Sequence, residues 1–239
     1  MIAFSLRWQR LIFALYALIG LGPGNDVFVD DHKTLYWGSQ PLQIKGVVYS
    51  PVPIGDSAIW TWPYGNYFSS SHKFLWKRDL PLIKDMGANV IRIYAFSDEV
   101  DHFPFLNEIH RNGLKVVITF YVGTAETNPV RFKGQRDEMT RRFTRLVKKY
   151  NAHPAVLGWI FGNEVNAIWN GFLHHLNADR NCGWSERCHY VKGEGDCFHP
   201  RRCVYDAFFS WINDVGRRAI EAMQETGARK SSLQPLWLM

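Results

Sequence analysis

Residues 156–166 read VLGWIFGNEVN, an apolar run that ends on a glycine followed by an amide and a carboxylate side by side. The run Val156–Phe161 is short and apolar on both faces, which is the pattern of a strand buried in a parallel sheet. Gly162, Asn163 and Glu164 then fall at its C-terminal tip. A carboxyl held there can act as general acid and then base, provided its surroundings keep its pKa above that of a free Glu. The adjoining amide offers two N–H donors to a ligand oxygen. In barrels of parallel strands, this end of the strands is where chemistry is done.

Other elements must position this tip. Residues 43–49 (QIKGVVY), 89–96 (NVIRIYAF) and 114–122 (LKVVITFYV) repeat the pattern of near-continuous apolar strands. Between them, Asp79 is placed to cap a helix through Leu82, Ile83 and Met86, with Pro81 in its first turn and Gly87 past its end. Residues 105–111 form a second helix stopped by Asn112-Gly113. Met139, Phe143, Leu146, Val147 and Tyr150 mark one face of a third, and residues 204–225 form a last helix. Four strand–helix pairs in alternation predict an α/β fold with a parallel sheet. No Gly-rich phosphate loop follows the first strand, and the loops after strands one and four are long. A (β/α)8 TIM barrel fits better than a doubly wound sheet. Only about the first four βα units are evident, with a fifth strand beginning near 233–238, so the expectation is an incomplete barrel.

The 239 residues carry a net charge of +6, concentrated at 131–149. The apolar residues interleaved there make this the solvated face of an amphipathic helix, and no nucleic-acid motif accompanies it. Ten Trp, ten Tyr and sixteen Phe exceed what many cores need, so flat ligands such as sugar rings enter consideration beside an aromatic core. The loop at 55–71 gathers Trp60, Trp62, Tyr64 and Tyr67, which suit either a sugar platform or packing of the loop itself. Residues 25–42 contain two short β-prone pieces around Asp30-Asp31 and read as an N-terminal β-hairpin preceding the main domain at 43–239.

Residues 1–24 differ in kind. Arg7 and Arg10 precede the apolar run 11–22 (LIFALYALIGLG), which suits a cleaved secretory signal or an uncleaved anchor contacting a membrane through 8–22. Either places the protein outside the cytosol, secreted or at the cell surface. The four cysteines, Cys182, Cys188, Cys197 and Cys203, all lie in or at the end of a long insertion at 165–203. An even count in an exported chain implies two disulfides, with three pairings open. His189 and His199 raise zinc as a rival, but the spacing C-x5-C-x8-C-x5-C lacks the tight pairs of zinc sites. No metal or cofactor is expected.

The segments IKGVVYSPVPIG at 44–55, DLPLIKDMGANVIRIYAF at 79–96, GLKVVITFYV at 113–122 and VLGWIFGNEVN at 156–166 together resemble retaining glycoside hydrolases of clan A. The resemblance is nearest to family 72 β-1,3-glucanosyltransferases and to family 2 and family 5 barrel domains. It implies that Glu164 is the acid/base and that Asn163 meets a sugar 2-hydroxyl. Arg92 would pair with the nucleophile, and Tyr94 would line the substrate. Tyr49, Tyr121 and Trp169 are further substrate-lining candidates. Each of these has a structural alternative, an ion pair for Arg92 or Glu164 and packing for Tyr94. The implied partner is a β-linked polysaccharide or oligosaccharide, with no nucleic acid.

Two departures stand out. Ser50 occupies the place of the family's glutamine, and Phe120-Tyr121-Val122 lacks its acidic residue. In addition, the resemblance puts the nucleophile, a Glu, at a seventh strand tip, whereas the sequence in hand stops before a sixth. Glu194 and Glu225 are not in position to replace it. The expectations are therefore twofold: part of a retaining glycosidase or transglycosylase, or a non-catalytic carbohydrate-binding or vestigial protein.

Overall fold

The computed structural model describes residues 27–122, 133–163, 198–226 and 236–238. Two sheets organise them. The first is a small antiparallel meander of β1 (Val27–Val29), β2 (Leu35–Trp37) and β3 (Gln40–Pro41). Its first turn is tied by Asp30, whose carboxylate accepts from Thr34 N at 2.8 Å. The second sheet contains β4 (Gly46–Val48), β5 (Val90–Ile93), β6 (Lys115–Phe120), β7 (Val156–Phe161) and β8 (Leu236–Leu238). These five strands are all parallel and lie side by side in chain order. Successive parallel strands in chain order, each joined through helix, are what a βα series predicts. Among the described residues the sheet is open.

The helices are α1 (Lys73–Asp85), entered through a 3-10 turn at Ser70–His72, α2 (Phe103–Arg111), α3 (Lys133–Tyr150) and α4 (Phe198–Glu225). They cover one sheet face. Strand side chains alternate between faces, so Ile91, Ile93, Val116, Ile118, Phe120, Trp159 and Phe161 join the helix-side core. There Phe143 of α3 packs against Phe120, Trp159 and Phe161, at ring separations of 5.4, 6.1 and 5.1 Å. On the opposite face Val90, Val117, Leu157 and Ile160 meet Val27, Leu35, Trp37 and Leu42 of the meander region. Lys115 secures this junction, its ammonium 3.7 Å from the Trp37 ring centre and donating to Pro154 O at 2.9 Å. The meander thus covers part of the face that would otherwise be an apolar interior.

Several boundaries differ from expectation. β7 has the expected bounds, but β4, β5 and β6 are shorter. The α1 helix begins at Lys73, not at Asp79, and Pro81 sits inside it. Leu75, Trp76 and Leu80 are buried along α1, so core packing extends the helix ahead of Asp79 and outweighs the lost proline hydrogen bond. Asp79 is therefore not a cap; its carboxylate accepts from Tyr49 OH at 3.0 Å and from Arg78 Nε at 2.6 Å. Several cations on the basic face of α3 are paired with carboxylates. Arg142 and Arg145 both pair with Asp98, which lies just beyond β5.

His102 braces the segment that follows β5. Its ring is fully buried and stacks on Phe96 at 3.8 Å. Nε2 lies 2.7 Å from Ser97 O and Nδ1 3.3 Å from Phe68 O. A neutral imidazole has one N–H, and the shorter contact assigns it to Nε2. Burial pushes the His102 pKa below the usual histidine value, against the opposing pull of the two carbonyls. His153 shifts the same way, through burial and then His110 and Lys115. Below about pH 6.5 the unfolded chain therefore binds protons that the folded chain refuses, and stability falls with falling pH. Urea midpoints should drop between about pH 7.5 and 5.5, and His102→Asn should narrow that drop. An unchanged pH dependence in His102→Asn would contradict this account.

Candidate functional site

The polar groups of the sheet interior meet where β5, β6 and β7 end. Arg92 faces away from the helices because Ile91 and Ile93 on either side of it face toward them. Thr119 lies two register steps further along β6, on the same face as Val117 and fully buried. On β7 the chain turns at Gly162, whose φ of +84° lies in the left-handed region that disfavours a side chain. Gly162 N still donates to Phe120 O at 2.9 Å, so the turn happens with the strand held in place. Asn163 follows immediately at the tip.

Arg92 collects these groups. Its Nε donates to Thr119 Oγ1 at 3.2 Å and its Nη2 to Asn163 Oδ1 at 2.9 Å. The guanidinium carbon lies 4.8 Å from the centre of the Tyr94 ring, a cation–π contact within the same strand tip. Guanidinium has donors only, so the Asn163 atom facing it must be the carbonyl oxygen. That assignment turns the two Nδ2 hydrogens away from Arg92. The result is an amide held by a charge-assisted bond with its donor end free of Arg92. Two of the five N–H donors of Arg92 are used in these bonds.

Of the residues singled out in the sequence, Arg92, Tyr94 and Asn163 are brought together. Tyr121 stands beyond β6, two residues past Thr119 and 48% exposed. Tyr49 does not join them. Val48 pairs with Arg92, so Tyr49 falls in register with Ile93 and belongs to the helix-side core. Its hydroxyl is committed to Asp79 of α1, and burial followed by the Asp79 charge pushes its pKa well above the usual phenol value. A tyrosine in that position anchors α1 to the sheet, on the face opposite Arg92. Glu164 and Trp169 lie outside the described residues, as do Cys182, Cys188 and Cys197; Cys203 falls within α4. Residues 1–24 are also outside, and among the described residues no helix is long and apolar enough to cross a membrane. Thr119 was missed. Its signal was the alternation Val117, Thr119, Tyr121, which puts a hydroxyl on the same face as Arg92.

A charged fork and an amide thus converge at the C-terminal ends of parallel strands, the end at which barrel enzymes carry their active sites. Comparison with known proteins makes the class definite. The family model described as glucanosyltransferase, glycoside hydrolase family 72, matches residues 26–171. The chain belongs to that family. It is 24% identical over 169 residues to a 1,3-beta-glucanosyltransferase, gas1, of Schizosaccharomyces pombe, covering 67% of this chain and 29% of that protein. It is 26% identical over 142 residues to Protein EPD1 of Candida maltosa, covering 59% and 24%. Among solved structures, Gas2p of Saccharomyces cerevisiae in complex with laminaripentaose aligns with a TM-score of 0.53 at 16% identity, covering 89% of this chain and 39% of that one. A Bacteroides uniformis beta-glucuronidase aligns with a TM-score of 0.53 at 16% identity. Both likenesses concern the fold, and the chain spans well under half the length of each relative named.

Thr119→Val would leave Arg92 Nε without its acceptor in a half-buried position. This should cost roughly 1–3 kcal/mol in urea unfolding, and Thr119→Ser, which keeps the hydroxyl, should recover most of it. Equal stability of Thr119→Val and the parent would show that the Nε contact orders nothing.

Proposed function

We propose that this chain carries the acid/base half of the active site of a β-1,3-glucan transglycosylase or hydrolase that retains configuration at the sugar. The observation that supports this best is the Arg92–Asn163 hydrogen bond, which fixes the amide beside Glu164 with its donors available. Membership of the glucanosyltransferase family supports the substrate class.

The reaction needs two carboxyl groups about 5–5.5 Å apart. Glu164 gives its proton to the oxygen of the leaving glucan while a second carboxylate attacks the anomeric carbon, forming a covalent glycosyl–enzyme. Glu164, now ionised, then takes the proton of an incoming hydroxyl, whose oxygen displaces the carboxylate. Water as acceptor gives hydrolysis; a glucan hydroxyl gives transfer. Asn163 Nδ2 donates to the sugar 2-hydroxyl, a contact that strengthens as positive charge develops on the ring. By resemblance the second carboxylate stands on a seventh strand. Arg92 keeps three N–H donors beyond those bonded to Thr119 and Asn163, enough to hold that carboxylate ionised as well. Export fits the same reading, supported by the basic and apolar character of residues 1–24 and by the four clustered cysteines.

In the polypeptide carrying both carboxylates, Glu164→Gln should lower turnover of reduced β-1,3-gluco-oligosaccharides on the order of 10²–10⁴-fold. Product analysis by chromatography checks transfer and hydrolysis together. Full activity in Glu164→Gln would remove Glu164 from the acid/base role.

A further inference from the structure

The loop that leaves β4 exposes a set of aromatic rings that the site above does not use. Trp60 is 85% exposed, Trp62 67% and Tyr64 59%, and among the described residues no other ring stacks on any of them. Three large rings this open within five residues of one loop are available to a ligand. Tyr67 is an exception to the expected platform; it is fully buried, with Phe68 beside it at 1% exposure. Those two residues anchor the end of the loop in the core, and the rings before them project from it.

The backbone beneath the rings is well held. Ser57 Oγ accepts from Ile59 N and Trp60 N, each at 3.2 Å, and Ser57 N donates to Thr61 Oγ1 at 3.2 Å. Tyr64 N donates to Thr61 O at 2.7 Å and Asn66 N to Pro63 O at 3.1 Å. A backbone held in this way gives up little conformational freedom on binding. The loop also returns to the functional end of the sheet. A Cβ at Gly65 would lie 3.3 Å from Ala95 Cβ, one residue past Tyr94, whose ring lies under Arg92. The exposed rings therefore stand on a frame continuous with the strand tip that carries the site.

We infer that Trp60, Trp62 and Tyr64 form an auxiliary binding platform for a β-linked glucan chain, distinct from the reacting position. This rests on the glucan reading above. A β-linked glucose ring has its hydroxyls equatorial and its C–H bonds axial, so each face is a flat apolar surface that covers an indole or phenol ring. A glucan also presents such faces repeatedly, which suits several separate rings better than a single deep pocket. Residues 53–65 carry one acidic side chain, Asp56, and no Lys or Arg, so the loop lacks the charge that draws a segment to an anionic membrane.

The test is binding, not turnover. The full chain is run through native gels containing laminarin, a β-1,3-glucan, with dextran, an α-linked glucan, as control. A parallel arm measures sedimentation with phosphatidylcholine–phosphatidylserine vesicles. Laminarin should retard the parent protein, and Trp60→Ala/Trp62→Ala should weaken that retardation roughly tenfold or more. Trp62→Phe alone should keep most of it. Because both tryptophans are exposed, an unchanged unfolding midpoint is expected in the double variant. Equal retardation of parent and double variant, no retardation of the parent, or capture by vesicles in place of laminarin would each overturn the platform. Loss of activity in Glu164→Gln with retardation unchanged separates the site from the platform.

Discussion

A guanidinium placed among apolar strands must find acceptors, and this requirement organises the functional end of the sheet. Arg92 offers donors only, and its neighbours Ile91 and Ile93 are committed to the opposite face. Its nearest solutions are the Thr119 hydroxyl on the next strand, the Asn163 carbonyl two strands over and the face of Tyr94. Each of these groups comes from a different part of the chain. The parallel register puts Thr119 within reach, and the left-handed turn at Gly162 brings Asn163 over the sheet. The polar cluster is thus a consequence of strand parity together with one glycine. What it leaves at the strand tip is an amide whose donors point away from the cation.

The helix side supports this arrangement without taking part in it. Phe143, Trp159 and Phe161 lock α3 onto β7, and the Tyr49–Asp79 bond ties α1 to the end of β4. Asp98, just past β5, gathers Arg142 and Arg145 from α3. The segment after β5 is therefore held by His102 on one side and by this ion pair on the other. Both contacts steady the strand that carries Arg92.

Much of this was legible in the residues. Val156–Phe161 was identifiable as a buried strand because a short, wholly apolar run bounded by His153-Pro154 and Gly162 leaves few alternatives. The apolar stripe of α3 was equally clear, since Phe143, Leu146, Val147 and Tyr150 recur at helical spacing and are all buried. Less visible was the face to which each tip residue belongs. Tyr49 and Arg92 both lie near strand ends, but a one-residue difference in register sends them to opposite sides of the sheet. Asp79 looked like a cap because Pro81 follows it, whereas packing of Leu75 and Trp76 had already begun the helix. Tyr67 and Trp62 are alike in sequence and opposite in exposure, which only the path of the loop decides.

Family membership and geometry meet at Asn163. The chain belongs to the glucanosyltransferase family, and the amide of Asn163, the residue preceding the proposed acid/base in sequence, is held by Arg92. The most direct measurement is a crystal structure of the protein with a β-1,3-linked gluco-oligosaccharide bound. The account predicts a sugar hydroxyl about 3 Å from Asn163 Nδ2, with Oδ1 still accepting from Arg92. An oligosaccharide bound with that amide unengaged, or with Asn163 turned away from Arg92, would contradict it.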